Sequence, residues 1–598
     1  MKFWETRFPD YINENLYNEL FNAILNLEVF PSMRLLWTAG PAVEANNISA
    51  YNCAYLEVDN IRAFDECLRI LASGTGVGFS VETRCISKLP FVNDHFEHSG
   101  RIIQVKDSRD GWGDAIRKLI ADLYLGREHT WDFSLVREKG ARLKTMGGRA
   151  SGPEPLKKLI ENITKVFKGA AGRKLTDLEC HDIMNYIGES IVVGGVRRSA
   201  EISLSDLSSV EMRDAKSGSW WINNPQRSLA NNSAVYLNKP SVEVFMEEWL
   251  ALVKSKSGER GIFNRLAARN RVKTYGRRNP DYDWGLNPCA EIILRPGQFC
   301  NLSTVVIRHN DTEEDLYRKV RLASILGTLQ STLTDFKNLR PLWKKNTEEE
   351  RLLGVSLMGT QSNPLTCSAR LGDPGLATLQ KKLREVAVIT NREVAATLGI
   401  PESAAVTAIK PDGNSSQLAS NLSGIHGSTA GEYYLRSVRQ SNSDPLTQFM
   451  LDCGIPNEPS IYDPQNTTVF FFPEKTTPGA PRAADLSALE QLEYWKSWAV
   501  NFTEHNPSVT IYVRDHEWLE VGSWVYQNFD ICVGASFLPL DDHTYDQAVY
   551  QPLTKEQYEA SVAKLPEKID WNNLKFYETS DNTTGSKELA CVSGSCEI

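Results

Sequence analysis

The chain has 598 residues, enough for a large core or several domains. Its 41% hydrophobic and 24% charged residues are those of an ordinary folded protein, and a net charge of −9 argues against a general nucleic-acid binder, which carries a basic stripe. Binding of a single nucleotide stays open, because that needs only local positive potential.

The first stretch, MKFWETRFPDYINENLYNEL, has no apolar h-region and does not read as a signal peptide. No run approaches the roughly 18 apolar residues needed to cross a bilayer. A cytoplasmic protein that meets no membrane is expected. KKLREVAVITNREVAATLGI (381–400) reads as a helix and AAVTAI (404–409) as the strand after it. The continuation, KPDGNSSQLASNL, reads as a turn and then a helix start. Free backbone N–H groups and the helix dipole make such a turn an anion site, although a Pro-Asp-Gly turn is more often only a turn. DLSALEQLEYWKSWAVNF (485–502) places Leu486, Leu489, Leu492, Trp495, Trp498, Ala499 and Phe502 near one helical face, behind Asp485 as cap. In PSVTIYV, Val509, Ile511 and Val513 alternate as in a strand. This alternation of elements argues for an α/β architecture with much parallel sheet, and pattern alone does not separate an open sheet from a barrel. The last stretch, YETSDNTTGSKELACVSGSCEI, is polar, without apolar periodicity, and reads as a mobile tail.

The eleven cysteines are too few, and odd in number, for a disulfide scaffold of this size, so free thiols are expected. Cys67, Cys85, Cys180, Cys367, Cys453 and Cys532 read as small buried hydrophobes. Cys53, Cys289, Cys300, Cys591 and Cys596 remain. Cys591 and Cys596 have four residues between them, two Ser and one Gly, and no second pair or nearby histidine completes a zinc site. A dithiol on a flexible arm suits thiol–disulfide exchange, which requires a buried redox pair elsewhere. NPCAEIILRPGQFCNLS (287–303) offers one partner: two thiols eleven positions apart, a carboxylate two residues after the first, and no metal-site pattern.

Asn-Pro-Cys-x-Glu followed by the Cys of FCNLS resembles the finger loop of ribonucleotide reductases. YNC (51–53), PSMRLLWTAG (31–40), SGTGVGF (73–79), RLLGVSLMG (351–359), KPDGNSS (410–416), GIHGSTAGEYYLRSVRQ (424–440) and the two-cysteine tail match in order, so the likeness covers nearly the whole chain. DSRDGWGDAIRKLI (107–120), GARLKTMGGRASGP (140–153), GGVRRSAEI (194–202), HNPSVTIYV (505–513) and ASFLPLDDHTYDQAVY (535–550) are similar to the adenosylcobalamin-dependent class II, closest to its monomeric, triphosphate-using branch.

The resemblance implies a ten-stranded α/β barrel of two five-stranded parallel halves over residues 1–575, with the finger loop at its centre, and a redox tail over 576–598. It implies radical reduction of the ribose 2′-hydroxyl of ribonucleoside triphosphates. Cys289 would carry the thiyl radical, Glu291 act as general base and Asn287 hold the sugar. Cys53 and Cys300 would supply two electrons, and Cys591 with Cys596 would reduce the resulting disulfide, drawing on thioredoxin or a similar dithiol. Ser32, Asn52 and Gly76 would line the substrate pocket, and Asp412, Gly413, Asn414, Ser415 and Ser416 would meet the phosphates. Adenosylcobalamin would sit against the regions 440–495 and 545–584. No Asp-x-His-x-x-Gly motif is present, so the cofactor is expected to keep its own base, and no protein metal site is expected. The region 81–195 is the candidate insertion for a deoxynucleotide specificity effector. With 52 residues ahead of Cys53, an ATP-cone and its on/off control are not expected. Two alternatives are a metal-radical large subunit, for which Tyr433-Tyr434 superficially offers a relay, and a catalytically silent nucleotide-binding regulator. The setting of the tyrosines resembles the cobalamin class, so a structural aromatic pair is expected there.

Overall fold

The computed structural model describes residues 1–139, 141, 150–193, 201–442, 444–461, 463–540, 546–578, 591–592 and 595–596. Ten strands form the principal sheet: β1 (Val29–Phe30), β2 (Cys53–Glu57), β3 (Gly76–Ser80), β4 (Glu201–Asp206), β5 (Ala230–Tyr236), β6 (Gly261–Asn264), β7 (Gln298–Val306), β8 (Leu353–Met358), β9 (Thr510–Val513) and β10 (Gly534–Pro539). β2 to β6 lie side by side in chain order, all parallel. In the second half β7 runs parallel to β8, and β9 to β10. Residues 405–409 span the gap between these pairs, with parallel bridges from Val355 to Thr407 and from Ile409 to Pro507.

Two antiparallel seams join the halves, Cys300 opposite Cys53 and Gly534 opposite Phe263. The ring is thereby closed: β2–β6 make one five-stranded parallel half, and β7, β8, 405–409, β9 and β10 make the other, running the opposite way. β1 is an added edge on the end of β7. The segment 404–409 joins by bridges rather than a continuous ladder because part of its backbone bonds elsewhere: Val406 N donates to the Glu504 carboxylate at 2.8 Å.

β2, β3, β7 and β8 are buried along their whole length, as strands covered on both faces must be. Glycines clear the interior for a chain segment. A Cβ on Gly78 would lie 1.7 Å from the carbonyl oxygen of Leu286, and one on Gly285 would lie 2.2 Å from the Tyr55 ring.

The helix expected at 381–400 runs from Pro374 to Leu398, between an Asp373 cap and a left-handed Gly399. The helix expected behind Asp485 spans Ala488–Asn501 instead. Ser487 caps it and Glu490 closes a capping box, satisfying two end N–H groups reciprocally; Asp485 ends the short turn before it. Of the six cysteines read as buried hydrophobes, Cys67, Cys85, Cys180 and Cys532 are buried, whereas Cys367 and Cys453 are half-exposed at element ends.

Two units decorate the barrel. Within 81–195, Glu97–Gln104 pairs in parallel with Arg127–Asp132 beside the helices Arg109–Tyr124 and Glu154–Gly169. Near the C-terminus, Asn457–Pro459, Thr467–Lys475, Tyr433–Ser441 and Tyr550–Pro552 form an antiparallel sheet over a small core of Phe449, Met450, Ile455 and Phe470. In the tail, Cys591–Val592 pairs antiparallel with Ser595–Cys596, Cys591 opposite Cys596. The motif residues 140, 142–149, 194–200 and 541–545 lie outside the described residues. Among the described residues no helix is long and apolar enough to cross a membrane.

Candidate active site

The finger is a short hairpin, Gly285–Leu286 against Ile293–Leu294. Asn287 closes its turn, accepting at Oδ1 from Ile292 N at 2.9 Å, and Ala290 takes a left-handed φ of 61° at the bend. Trp284, Leu286, Ile292, Ile293 and Leu294 pack with Cys53, Tyr55 and Phe263 of one half and with Cys300, Leu302 and Ala408 of the other. The finger therefore threads the barrel.

Two buried arginines grip its stem from opposite sides. Arg265 donates to Trp284 O at 2.8 Å and pairs with Glu82 at 2.7 Å. Arg278 donates to Ile293 O at 2.8 Å and pairs with Glu350 at 2.8 Å. From the second half, Asn506 N donates to Glu291 O at 3.0 Å, and its side-chain amide donates to Ala290 O at 3.0 Å and Gly534 O at 3.1 Å. His505 accepts from Ile293 N at 3.3 Å and meets Leu353 O at 3.0 Å, which fixes a neutral ring; burial pushes its pKa down. Sequence reasoning did not single out Arg265, Arg278, His505 or Asn506. Only the quoted HNPSVTIYV held a trace of the last two.

Four of the five residues read as catalytic meet beneath the tip. Cys53 and Cys300 are reduced, buried and opposite each other across the β2–β7 seam. The Asn287 amide nitrogen donates both to Glu291 Oε2 at 2.7 Å and to Cys53 Sγ at 3.3 Å. Glu291 is 2% exposed, and burial pushes its carboxyl pKa to about 7, against the pull of the Asn287 hydrogen bond and the Lys410 charge. Burial, reinforced by Glu291, also pushes both thiols well up, so they stay protonated at neutral pH and hold hydrogen to give. Cys289, the fifth, is half-buried at the tip and close enough for its charge to act on Cys53.

At the rim beyond β7, the 410–416 turn is built on a buried carboxylate. Asp412 Oδ1 accepts from Lys410 Nζ at 3.0 Å, Ser415 Oγ at 2.8 Å and Thr304 Oγ1 at 3.2 Å. Asp412 takes a φ of 53° and gives the following helix no side-chain cap, which leaves its first N–H groups for another acceptor. Asn414 is exposed, Gly413 half-buried, and Ser415 and Ser416 are buried. Ser32 is buried, with its N donating to Gln330 at 2.8 Å and its hydroxyl without a partner. Asn52 accepts from Leu302 N at 3.1 Å and its carbonyl accepts from Gly76 N at 2.9 Å. A Cβ on Gly76 would press on Pro288 of the finger at 3.0 Å. Lys410, quoted in KPDG but not chosen there, is the charged residue that sequence reasoning passed over at this rim.

Described parts of the regions 440–495 and 545–584 meet where Phe449 packs on Trp571 and Tyr577, and Tyr550 joins the outer sheet by pairing with Arg436; residues 545 and 579–584 lie outside the described residues. Gln417, just past the 410–416 turn, donates to the Tyr550 hydroxyl at 3.1 Å, tying that unit to the rim. Tyr433 and Tyr434 are neighbours on one strand and face opposite ways. Tyr433 packs on Tyr558, and Tyr434 packs on Tyr550 and donates to Glu474 at 3.0 Å, so the two rings do not stack on each other. Among the described residues no group of three or more His, Cys, Asp or Glu could hold a metal ion.

The site is therefore a barrel with a thiol-tipped finger over a facing cysteine pair. Residues 77–167 match the family model of the B12-dependent ribonucleotide reductase insertion domain. The chain is 28% identical over 580 residues to the adenosylcobalamin-dependent ribonucleoside-triphosphate reductase of Euglena gracilis, covering 92% of this chain and 75% of that protein. A solved B-12 dependent (class II) ribonucleotide reductase superposes with a TM-score of 0.80 at 23% identity, covering 97% of this chain and 92% of that one. The class Id alpha subunit of Actinobacillus ureae superposes more loosely, with a TM-score of 0.51 at 12% identity over 90% of this chain and 92% of that one. The chain is thus similar over most of its length to adenosylcobalamin-dependent reductases in sequence and to a class II ribonucleotide reductase in fold.

Proposed function

We propose that this chain reduces the ribose 2′-hydroxyl of ribonucleoside triphosphates by a thiyl-radical mechanism dependent on adenosylcobalamin. The observation that carries this reading is the single amide of Asn287 bonded at once to Glu291 and Cys53, beside Cys300 and beneath Cys289. The names of the relatives support the triphosphate and the cofactor. The tip itself fits a bulky cofactor: Asn287, Pro288 and Glu291 are buried, whereas Cys289 and Ala290 are partly open. The regions 440–495 and 545–584 would hold the cofactor.

When bound, adenosylcobalamin supplies the radical chemistry that removes a hydrogen atom from Cys289. The Cys289 thiyl takes the 3′-hydrogen of the ribose, and Glu291 accepts the 3′-hydroxyl proton. Asn287 holds the sugar while keeping Glu291 and Cys53 in register. Cys53 protonates the 2′-hydroxyl, which leaves as water. Cys53 and Cys300 supply two electrons and end as a disulfide, and the 3′-hydrogen returns from Cys289. Cys591 and Cys596 then reduce that disulfide by exchange and are themselves reduced by thioredoxin or a similar dithiol. One ribonucleotide and one dithiol give one deoxyribonucleotide, one water and one disulfide.

In the same reading, Ser32, Asn52 and Gly76 line the sugar side, and residues 412–416 receive the phosphates, with the N–H of Ser416 kept by Asp412 O. A deoxynucleotide effector binds within 81–195, inside the catalytic unit 1–575, with 576–598 as the redox tail. The protein works as a cytoplasmic monomer. A metal-radical large subunit is disfavoured by the opposed faces of Tyr433 and Tyr434, and a silent regulator has no use for the buried thiols. The test is anaerobic incubation of Cys289→Ser with adenosylcobalamin, a dithiol and CTP, CDP, ATP or ADP. Complete loss of deoxynucleotide is expected, and retained product ends the proposal.

A further inference from the structure

Lys410 stands between two parts of the site. It follows directly on the 405–409 strand, and its N donates to Ser356 Oγ at 2.9 Å on β8. Ile409 before it accepts from Ser508 N at 2.8 Å, and Asn506 in that same stretch donates to Glu291 O at 3.0 Å. Its ammonium pairs with Asp412 at 3.0 Å at the foot of the phosphate turn, with side-chain exposures of 14% and 0%. We propose that Lys410 is a positioning residue: anchored on Asp412, it holds the charge that keeps Glu291 able to take a proton while the turn receives the phosphates.

The proposal rests on the reading of Glu291 as the base and deepens it. The charged and titratable groups around Glu291 are Lys410 and Asp412 at the rim, Cys53 on β2, Cys300 on β7 and Cys289 at the finger tip, with Arg278 acting on Cys300 from the finger stem and His505 neutral beside it. Lys410 is the cation whose field reaches both Glu291 and Cys53, and it favours their ionised forms. Asp412 opposes it at Glu291. The same ion pair gives the turn its shape, so one residue serves both the phosphate end and the sugar end.

The experiment titrates the protonated carboxyl of Glu291 by infrared difference spectroscopy on the cofactor-free protein, with Glu291→Gln identifying the band. Lys410→Gln is expected to move the midpoint up by about one pH unit or more, a tenfold change in ionisation equilibrium. Lys410→Arg should restore it, and Asp412→Asn, which removes the opposing charge and keeps an amide oxygen to hold the ammonium, should move it down. In turnover, Lys410→Gln should carry the acid limb of kcat/KM upward with the infrared midpoint. Midpoints unmoved in both Lys410→Gln and Asp412→Asn would overturn the proposal, as would a Lys410→Gln effect confined to KM at every pH. Because the infrared titration needs no turnover, failure of the Cys289 test would leave it interpretable.

Discussion

Gly78 offers a severe test of the finger's fixed position. An added Cβ would stand 1.7 Å from Leu286 O, 2.9 Å from Leu286 C and 3.1 Å from Ile202 Cγ2, whereas real Cβ atoms essentially never come within 3.0 Å of a heavy atom. Gly78→Ala therefore requires at least 1.3 Å of movement between β3 and the finger, the difference between 3.0 and 1.7 Å. No side chain can yield in its place, because the obstacle is backbone. The finger is gripped at Trp284 O by Arg265 and at Ile293 O by Arg278, so a shift at Leu286 strains both anchors or tilts the tip. A misplacement of about 1 Å in a reacting group costs on the order of 10²-fold in rate, and overpacking a core costs about 1–3 kcal/mol. We expect kcat for deoxynucleotide formation to fall about 100-fold or more, with a measurable drop in the urea midpoint and nucleotide binding largely retained. Gly354→Ala is the control: its Cβ would meet Leu302 Cδ2 at 2.2 Å and Ile292 Cδ1 at 3.0 Å, both ends of movable side chains, so its loss should be smaller. Wild-type activity and stability in Gly78→Ala would refute the threading of the finger through the barrel.

The remaining expectations concern protons and thiols. With Glu291 at about 7 and acting as a base, kcat/KM should rise about tenfold per pH unit below that value and level above it, and Glu291→Gln should be slow and flat; a limb near pH 4.5 would contradict the burial argument. Because the folded pKa lies above the ordinary glutamate value of 4.5, the native state holds more protons between the two, and stability from this group is present at low pH and lost as pH rises through about 7. Wild type should lose about 3 kcal/mol relative to Glu291→Gln from pH 4.5 to 8 in chemical denaturation, and parallel curves would count against it. Replacing both Cys591 and Cys596 by Ser should abolish turnover driven by thioredoxin and preserve turnover driven by a small dithiol, and equal rates with both reductants would remove the tail from the cycle.

What could be read before the fold was known depended on the range of the interaction. The alternation of Ile511 and Val513 and the helix ending at Leu398 are local and appear close to where periodicity puts them, although the strand starts at Thr510 and the helix at Pro374. The cap of the 488–501 helix is local too, but it falls on Ser487, two residues after the expected Asp485. Ser487 prevails because Glu490 reaches back to it, a reciprocal bond that Asp485 does not have. The cysteine pair was legible because the redox chemistry restricts the residue type and the motif fixes its place. The arginine anchors were not, since Arg265 meets Glu82 and Arg278 meets Glu350 across 183 and 72 positions, and nothing in either neighbourhood marks them. Lys410 was hidden differently: it lay inside a quoted motif, but its importance comes from Glu291, 119 positions earlier, brought near by barrel closure.

The opposed direction of the two halves accounts for the proposed sharing of one end of the molecule by reduction and phosphate binding. Directly opposed residues on antiparallel strands hold their Cβ atoms about 4.5–5.5 Å apart, slightly beyond the roughly 3.5–4.5 Å of a disulfide. Cys53 and Cys300 at such a seam can therefore stay reduced at rest and close with a small shift. The antiparallel seam also sets the beginnings of β2 and β3, with Asn52 and Gly76, beside the outgoing end of β7. Thr304 near that end reaches Asp412, so the turn leaving the 405–409 strand opens over the same rim. A substrate gripped there by its phosphates would lay its ribose toward the seam, beneath the tip of the finger. Had all ten strands run one way, the seam would lack its facing pair, and strand beginnings and endings would lie at opposite mouths of the barrel.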